Sequence, residues 1–314
     1  MNLDQKIRQL NHRRIDFFRS LKLSLASFLF ARFSEFCELG SEGNILVFRM
    51  DDKLGDSVTA TGFLKELKNW QMARPSRSSG ASKLIVVAGR ATAALYKKLN
   101  FIDEVLISEK GIFNTLKLFF MLKRSRYNYI INTSHILNPR VIFLASLLPA
   151  HKKISFGNKG FKLFSDFIDI DFKSEHVTAR YQNVLKILAK AAPIDNTGDV
   201  GFAANLDYIV NINSEAVNLA SQYIAQLRKT ARNIIVLNSF AGARLRNFNL
   251  KTTASLVKKL LENNEVIVLS IASEDDHKIL KTWIESANAN ENSASSAAGI
   301  YAKRWVSSAN LSSL

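Results

Sequence analysis

The residues best placed to do chemistry are crowded into one short stretch, Arg49-Met50-Asp51-Asp52-Lys53-Leu54-Gly55-Asp56-Ser57. It follows the apolar run Ile45–Phe48 and precedes a helix predicted from about Asp56 to Trp70. Gly55 permits a tight turn and a close backbone approach. Asp56 then falls at or near a helix N-cap, where its carboxylate can accept backbone N–H bonds. Two readings of Asp56 are open. It is a cap, or it is a carboxylate held to act as a general base on a hydroxyl. The charges Arg49, Asp51, Asp52 and Lys53 beside it exceed what a cap needs. The position after a buried strand is also where open sheets put their ligands.

A second stretch has the same placement: Asn238-Ser239-Phe240-Ala241-Gly242-Ala243-Arg244-Leu245-Arg246-Asn247-Phe248-Asn249. It too lies between a predicted strand and a predicted helix. Arg244 and Arg246 suit a phosphate, helped by the helix N-terminus. The alternative is a solvated basic turn. Other signals are weaker. No GxGxxG and no GxxxxGK[ST] occurs, so dinucleotide and P-loop sites have no support. The histidines at 12, 135, 151, 176 and 277 lack metal-ligand spacing. Ser134-His135 has no visible triad partners.

Elements must position these loops. From Asn44 the chain alternates strand and helix. Strands are expected at Ile45–Phe48, Leu84–Ala88, Glu104–Ile107 and Tyr127–Ile131. Helices are expected at Thr92–Leu99, Phe113–Leu122, Pro139–Leu148 and His176–Ala191. Buried strands alternating with helices imply an α/β fold with a parallel sheet covered on both faces. The pattern resets after a linker-like stretch from Ala192 to Gly201. It resumes with a helix over 214–229, a strand Asn233–Leu237, a helix Lys251–Glu262, a strand Val266–Ile271 and a helix Glu274–Ser286. Two α/β domains are therefore expected, spanning 41–200 and 201–314, the second incomplete at two strands. Residues 287–299 are low in complexity and expected to be exposed.

Residues 1–40 read separately, as a basic, Phe-rich helix without Pro or Gly before Gly40. That composition suits a segment lying on an anionic membrane surface. A helix docked on the protein's own core fits equally. The net charge of +16 over 314 residues points to an anionic partner: nucleic acid, anionic lipid or a phosphorylated substrate. A solvated basic surface is the plainer alternative. A single cysteine, Cys37, allows no disulfide within the chain and fits a reducing compartment. No charge-free run long enough for a transmembrane helix occurs, and the first residues lack signal-peptide features.

The segment Ile45–Thr61 resembles the opening of the family 9 glycosyltransferases, the heptosyltransferases of lipopolysaccharide core synthesis. The shared order is an apolar strand, a charged loop, Gly-Asp and a Thr-containing helix, continued here by Gly62-Phe-Leu64-Lys-Glu-Leu67. Leu84–Ala88, Ala93–Leu99, Ile102–Leu106, Tyr127–Ile131, His176–Leu188 and Ile234–Leu261 follow in the family's order. The resemblance covers about residues 44–285. It implies a GT-B fold, with two Rossmann-like domains and parallel sheets. It also implies an inverting, metal-independent transfer of heptose from ADP-heptose to a lipid-linked saccharide acceptor, with no cofactor. Carried over by position, Asp56 is the catalytic base. Arg246 stands where the family places a basic residue facing the donor diphosphate. Ser239, Gly242 and Arg244 complete that donor loop, and Arg49, Asp52, Gly55 and Ser57 support the first one. The chain departs from the family at Arg246-Asn-Phe248-Asn249, where Lys-x-Trp-Pro is usual. It also lacks the later Asp-Ser-Gly-Pro-x-His motif, so a C-terminally shortened member is expected.

The resulting expectation is a heptosyltransferase-like enzyme, cytoplasmic and peripheral on the inner face of the cytoplasmic membrane. Its partners would be a nucleotide sugar, a lipid-linked acceptor and the anionic membrane surface, with nucleic acid not expected. The alternative is a catalytically impaired scaffold that binds anionic membrane or nucleic acid through its basic surface.

Overall fold

The four strands expected before Ala150 become four adjacent strands of one parallel sheet. The computed structural model describes residues 43–73, 82–134, 137–156, 163–168, 176–191, 206–229, 233–238, 248–249 and 266–270. It also describes scattered positions within 14–38 and 252–259, and residues 278 and 282. The chain divides into two compact units, Met1–Asn211 and Ile212–Leu314.

In the first unit the strands are β1 (Asn44–Arg49), β2 (Leu84–Gly89), β3 (Glu104–Ser108), β4 (Tyr127–Asn132), β5 (Ala150–Phe156) and β6 (Asp166–Ile168). The helices are α1 (Leu54–Met72), α2 (Ala93–Lys97), α3 (Ile112–Leu122), α4 (Pro139–Leu147) and α5 (Val177–Ala191). All six strands are parallel, in the order β3-β2-β1-β4-β5-β6. That is the doubly wound order, in which the crossover direction reverses between β1 and β4. Strands β5 and β6 are absent from the sequence expectation. The run Ala150-His-Lys-Lys-Ile-Ser-Phe156 is broken by charge, yet Lys153 is wholly buried with its Nζ 5.1 Å from the centre of the Phe36 ring. Lys152 reaches Asp166 at 3.5 Å.

Side chains alternate across the sheet, so each strand feeds two cores. Ile45 and Val47 face a layer with Phe63, Leu64 and Trp70 of α1 and Tyr181, Val184 and Leu185 of α5. Leu46 and Phe48 face a layer with Leu118 and Leu122 of α3 and Ile142 and Leu144 of α4. Described positions of the segment 14–30 are helical, and Leu23, Ala26 and Phe30 join that second layer. Among the described positions of the N-terminal segment, these three lie on the protein's own core. Gly111, with φ +114°, opens α3 in a conformation costly for other residues.

The chain stays on the first unit until Asn211. Leu206 is buried, the Ile209 N–H donates to Thr61 Oγ1 at 2.7 Å, and Asn211 Nδ2 donates to the Lys98 carbonyl at 2.5 Å. Gly62 makes this passage possible, because a Cβ there would run into the Asp207 carbonyl.

In the second unit, α6 (Ser214–Leu227) is capped by Asn213, whose side chain accepts from the Glu215 N–H at 3.0 Å. Strands β7 (Ile234–Asn238) and β8 (Val266–Ser270) pair in parallel. The described positions among 252–259 are helical, and Asn249 accepts from the Thr252 N–H at 2.8 Å at their start. The alternation of parallel strands and helices read from the sequence is the architecture observed.

Candidate active site

The carboxyl end of β1 is a polar knot built around one buried guanidinium. Arg49 is the last residue of β1 and nearly inaccessible. Its Nε lies 3.2 Å from Asp51 Oδ1, one terminal nitrogen lies 3.3 Å from Asp56 Oδ2, and the other donates to the Thr133 carbonyl at 3.0 Å. Burial alone would make this cation easier to deprotonate. Electrostatic interaction with Tyr181, and then with Asp51, Tyr96 and Asp56, outweighs that and raises its pKa above the ordinary value. A planar fork with five donors suits this three-way duty better than a lysine would.

Thr133 fixes the other bank of the knot. Its N–H and its Oγ1 both donate to the Phe48 carbonyl, at 3.2 and 3.1 Å. Beyond it, Asn132 Nδ2 donates to the Ser134 carbonyl and to Ser155 Oγ. The ends of β1, β4 and β5 are thereby cross-tied where the sheet reverses direction. On the β2 side, Asp52 Oδ1 accepts from the Ala91 N–H at 2.9 Å, and Thr92 Oγ1 donates to the Asp51 and Gly89 carbonyls. Arg140, in the first turn of α4, donates to Ser108 Oγ and to the Glu109 carbonyl, both at 2.9 Å. Burial lowers the Arg140 pKa, opposed by the charge of Asp52.

Asp56 sits differently from the sequence expectation. Helix α1 begins at Leu54, because the Ser57 N–H closes the first turn on the Lys53 carbonyl at 3.0 Å. Lys53 is the N-cap residue, and no side chain caps the helix. Asp56 is therefore the third helical residue, and the cap reading does not hold. Its carboxylate meets Arg49 and, at 3.8 Å, Lys53 Nζ, and its side chain is 46% exposed. The positive end of the helix also favours a carboxylate there.

Two support residues are corrected in the same way. Gly55 is helical and makes no turn, and a Cβ at its position would meet nothing within 4 Å. Ser57 is wholly buried inside α1, where its carbonyl accepts from Tyr96 Oη at 3.3 Å. Arg49 and Asp52 make the contacts given above. Ser239, Gly242, Arg244 and Arg246 lie outside the described residues.

Sequence reasoning missed Thr133, Asn132, Arg140 and Tyr96. Asn132-Thr133-Ser134 carried a usable signal, being a polar triplet directly after an apolar strand at the end where open sheets bind ligands. The Arg49–Thr133 contact spans 84 residues and leaves no local trace.

The arrangement presents a half-exposed carboxylate, held by a buried cation, at the reversal point of a doubly wound sheet. Such a group can take a proton from a hydroxyl brought against it. Among the described residues no cluster of three or more His, Cys, Asp or Glu is arranged to hold a metal ion.

No family model matches the sequence, and no curated protein matches it. Solved structures do resemble it. A glycosyl transferase family 9 protein from Veillonella parvula DSM 2008 superposes with a TM-score of 0.55 at 19% identity, over 80% of this chain and 68% of that one. The E. coli ADP-heptose lps heptosyltransferase II gives a TM-score of 0.49 at 17% identity, over 80% and 70%. E. coli heptosyltransferase WaaC with ADP gives 0.48 at 14% identity, over 77% and 71%. The chain thus shares its fold with the Veillonella family 9 protein.

Proposed function

We propose that this α/β chain is a glycosyltransferase of the heptosyltransferase type, with Asp56 as its catalytic base. The observation that carries the reading is the half-exposed Asp56 carboxylate, clamped by buried Arg49 at the β1–β4 reversal point. Its setting in a fold shared with a family 9 glycosyl transferase adds support. In this reading the donor is a nucleotide sugar such as ADP-heptose, and the acceptor is a lipid-linked saccharide of the lipopolysaccharide core.

Asp56 takes the proton of the acceptor hydroxyl as that oxygen bonds to the anomeric carbon. The bond from that carbon to the diphosphate breaks on the opposite face, which inverts the configuration and releases the nucleoside diphosphate. Arg244 and Arg246, close in sequence to Ser239 and Gly242, would offset the charge on the departing diphosphate. No metal and no cofactor is required by this scheme. The basic surface and residues 1–40 would keep the enzyme on the inner face of the cytoplasmic membrane, within reach of a lipid-linked acceptor. No helix among the described residues is long and apolar enough to cross a membrane.

The test is transfer from ADP-heptose to a core acceptor, comparing the wild type with Asp56→Ala and Asp56→Asn. Loss of a general base lowers the rate by about a hundredfold to ten-thousandfold. Stability should change by less than about 1 kcal/mol, since the carboxylate is half exposed. A variant as active as the wild type would remove Asp56 from the mechanism.

A further inference from the structure

Helix α3 is apolar on two opposite sides. Thr115, Leu118 and Leu122 turn inward and are buried. Ile112, Phe113, Leu116 and Phe120 form a second stripe at helical spacing and turn outward. Phe113 is 87% exposed and Ile112 78% exposed. The outer face of a helix on a soluble domain is normally polar. Four large apolar side chains in water, two of them aromatic, call for something to cover them.

Charge indicates what that is. Lys110, Lys117, Lys123 and Arg124 are exposed around the stripe, and Glu109 is the one carboxylate between residues 109 and 126. The N-terminal helix repeats the pattern. Leu23, Ala26 and Phe30 face the core, while Phe17, Leu21, Leu25 and Phe28 are exposed, with Arg14 and Lys22 exposed as well. The two helices are neighbours, since the Phe143 ring lies 5.2 Å from that of Phe30 and 5.8 Å from that of Phe119. An apolar stripe rimmed by cations is the chemistry of a helix lying in the headgroup region of an anionic bilayer.

We infer that α3 is a membrane-contact helix, which together with the outer face of the N-terminal helix seats the first unit on an anionic lipid surface. This names the membrane contact of the enzyme proposed above and rests on that reading only for its purpose. Vesicle binding is measured without sugar donor or acceptor.

The experiment is co-sedimentation of the full chain with phosphatidylglycerol-containing vesicles and with pure phosphatidylcholine vesicles, at low and high salt. The wild type should bind the anionic vesicles, release them at high salt and leave the neutral ones. Phe113→Ser with Phe120→Ser should weaken binding at least about tenfold, with circular dichroism unchanged. Lys117→Gln with Lys123→Gln and Arg124→Gln should flatten the salt dependence. Asp56→Ala should bind vesicles as the wild type does, so a failure of the chemistry and a failure of the surface are seen separately. The inference is overturned if the phenylalanine variant binds as tightly as the wild type. It is equally overturned if the wild type ignores anionic vesicles while the same substitutions convert a dimer to a monomer, which makes the stripe a contact between copies.

Discussion

Replacing Arg49 separates its two duties. Arg49→Met keeps an unbranched apolar stem and removes the fork. The Thr133 carbonyl then loses a buried donor, a loss of about 1–2 kcal/mol. Asp51, about a quarter exposed, loses its cation for about 1 kcal/mol, and the half-exposed Asp56 for less than that. Met recovers a little, because no charge is desolvated. The balance is a destabilisation of about 2–3 kcal/mol. It can be read as a urea-unfolding shift at Trp70, buried in the first unit, in a chain with Trp283 and Trp305 replaced by Phe. Arg49→Lys restores a positive charge but not a planar fork. Much of the stability should return, while kcat for transfer stays low and KM changes little, because Asp56 is no longer held in one orientation. An Arg49→Met chain within about 0.5 kcal/mol of the wild type would refute the structural part of this reasoning. A fully active Arg49→Lys would refute the positioning part.

Two further outcomes follow from buried features. Gly62→Ala should cost about 1–3 kcal/mol, because the new Cβ meets the Asp207 carbonyl and pushes 206–209 off α1. Hydrogen exchange at Ile209, whose amide bonds Thr61, reports it, and unchanged protection would count against the close approach. Alkaline pH should destabilise the first unit, because burial raises the pKa of Tyr96, Tyr127 and Tyr181. The unfolded chain ionises first, so this contribution is complete below about pH 10 and is lost above it, at about 1.4 kcal/mol each for Tyr96 and Tyr127 by pH 11, with Tyr181 acting in the same direction. A urea midpoint equal at about pH 9 and 11 would contradict that, and Tyr127→Phe should reduce the slope.

The β–α alternation was legible because strands buried on both faces are continuous apolar runs, as in Ile45–Phe48 and Leu84–Ala88. Strand β5 was not, since its lysines make it read as surface until Phe36 and Asp166 receive them. The start of α1 was misplaced because Lys53-Leu54-Gly55 contains no favoured cap and a poor helix former, and the best capping residue nearby is Asp56. Tertiary ties decide that boundary instead: Asp52 to Ala91, Thr92 to Asp51, Arg49 to Thr133. That Asp56 stands among charges just after a strand was legible. Its true holder, a guanidinium stretched between β1 and β4, was visible only once those strands stood side by side.

The pairing of β1 with β4 also sets a clock for folding. Ile45 meets Leu84 and Tyr129, so the central strand waits for chain made long after itself. Closing the longer loop costs more entropy and is repaid only when β4 has docked. Until then β1 is an apolar strand with one open edge, the kind of surface on which partly folded chains associate. Arg49 cannot reach the Thr133 carbonyl before that moment. The tie from Arg49 to Thr133, which orients the candidate base, thus forms no earlier than the pairing of β1 with β4.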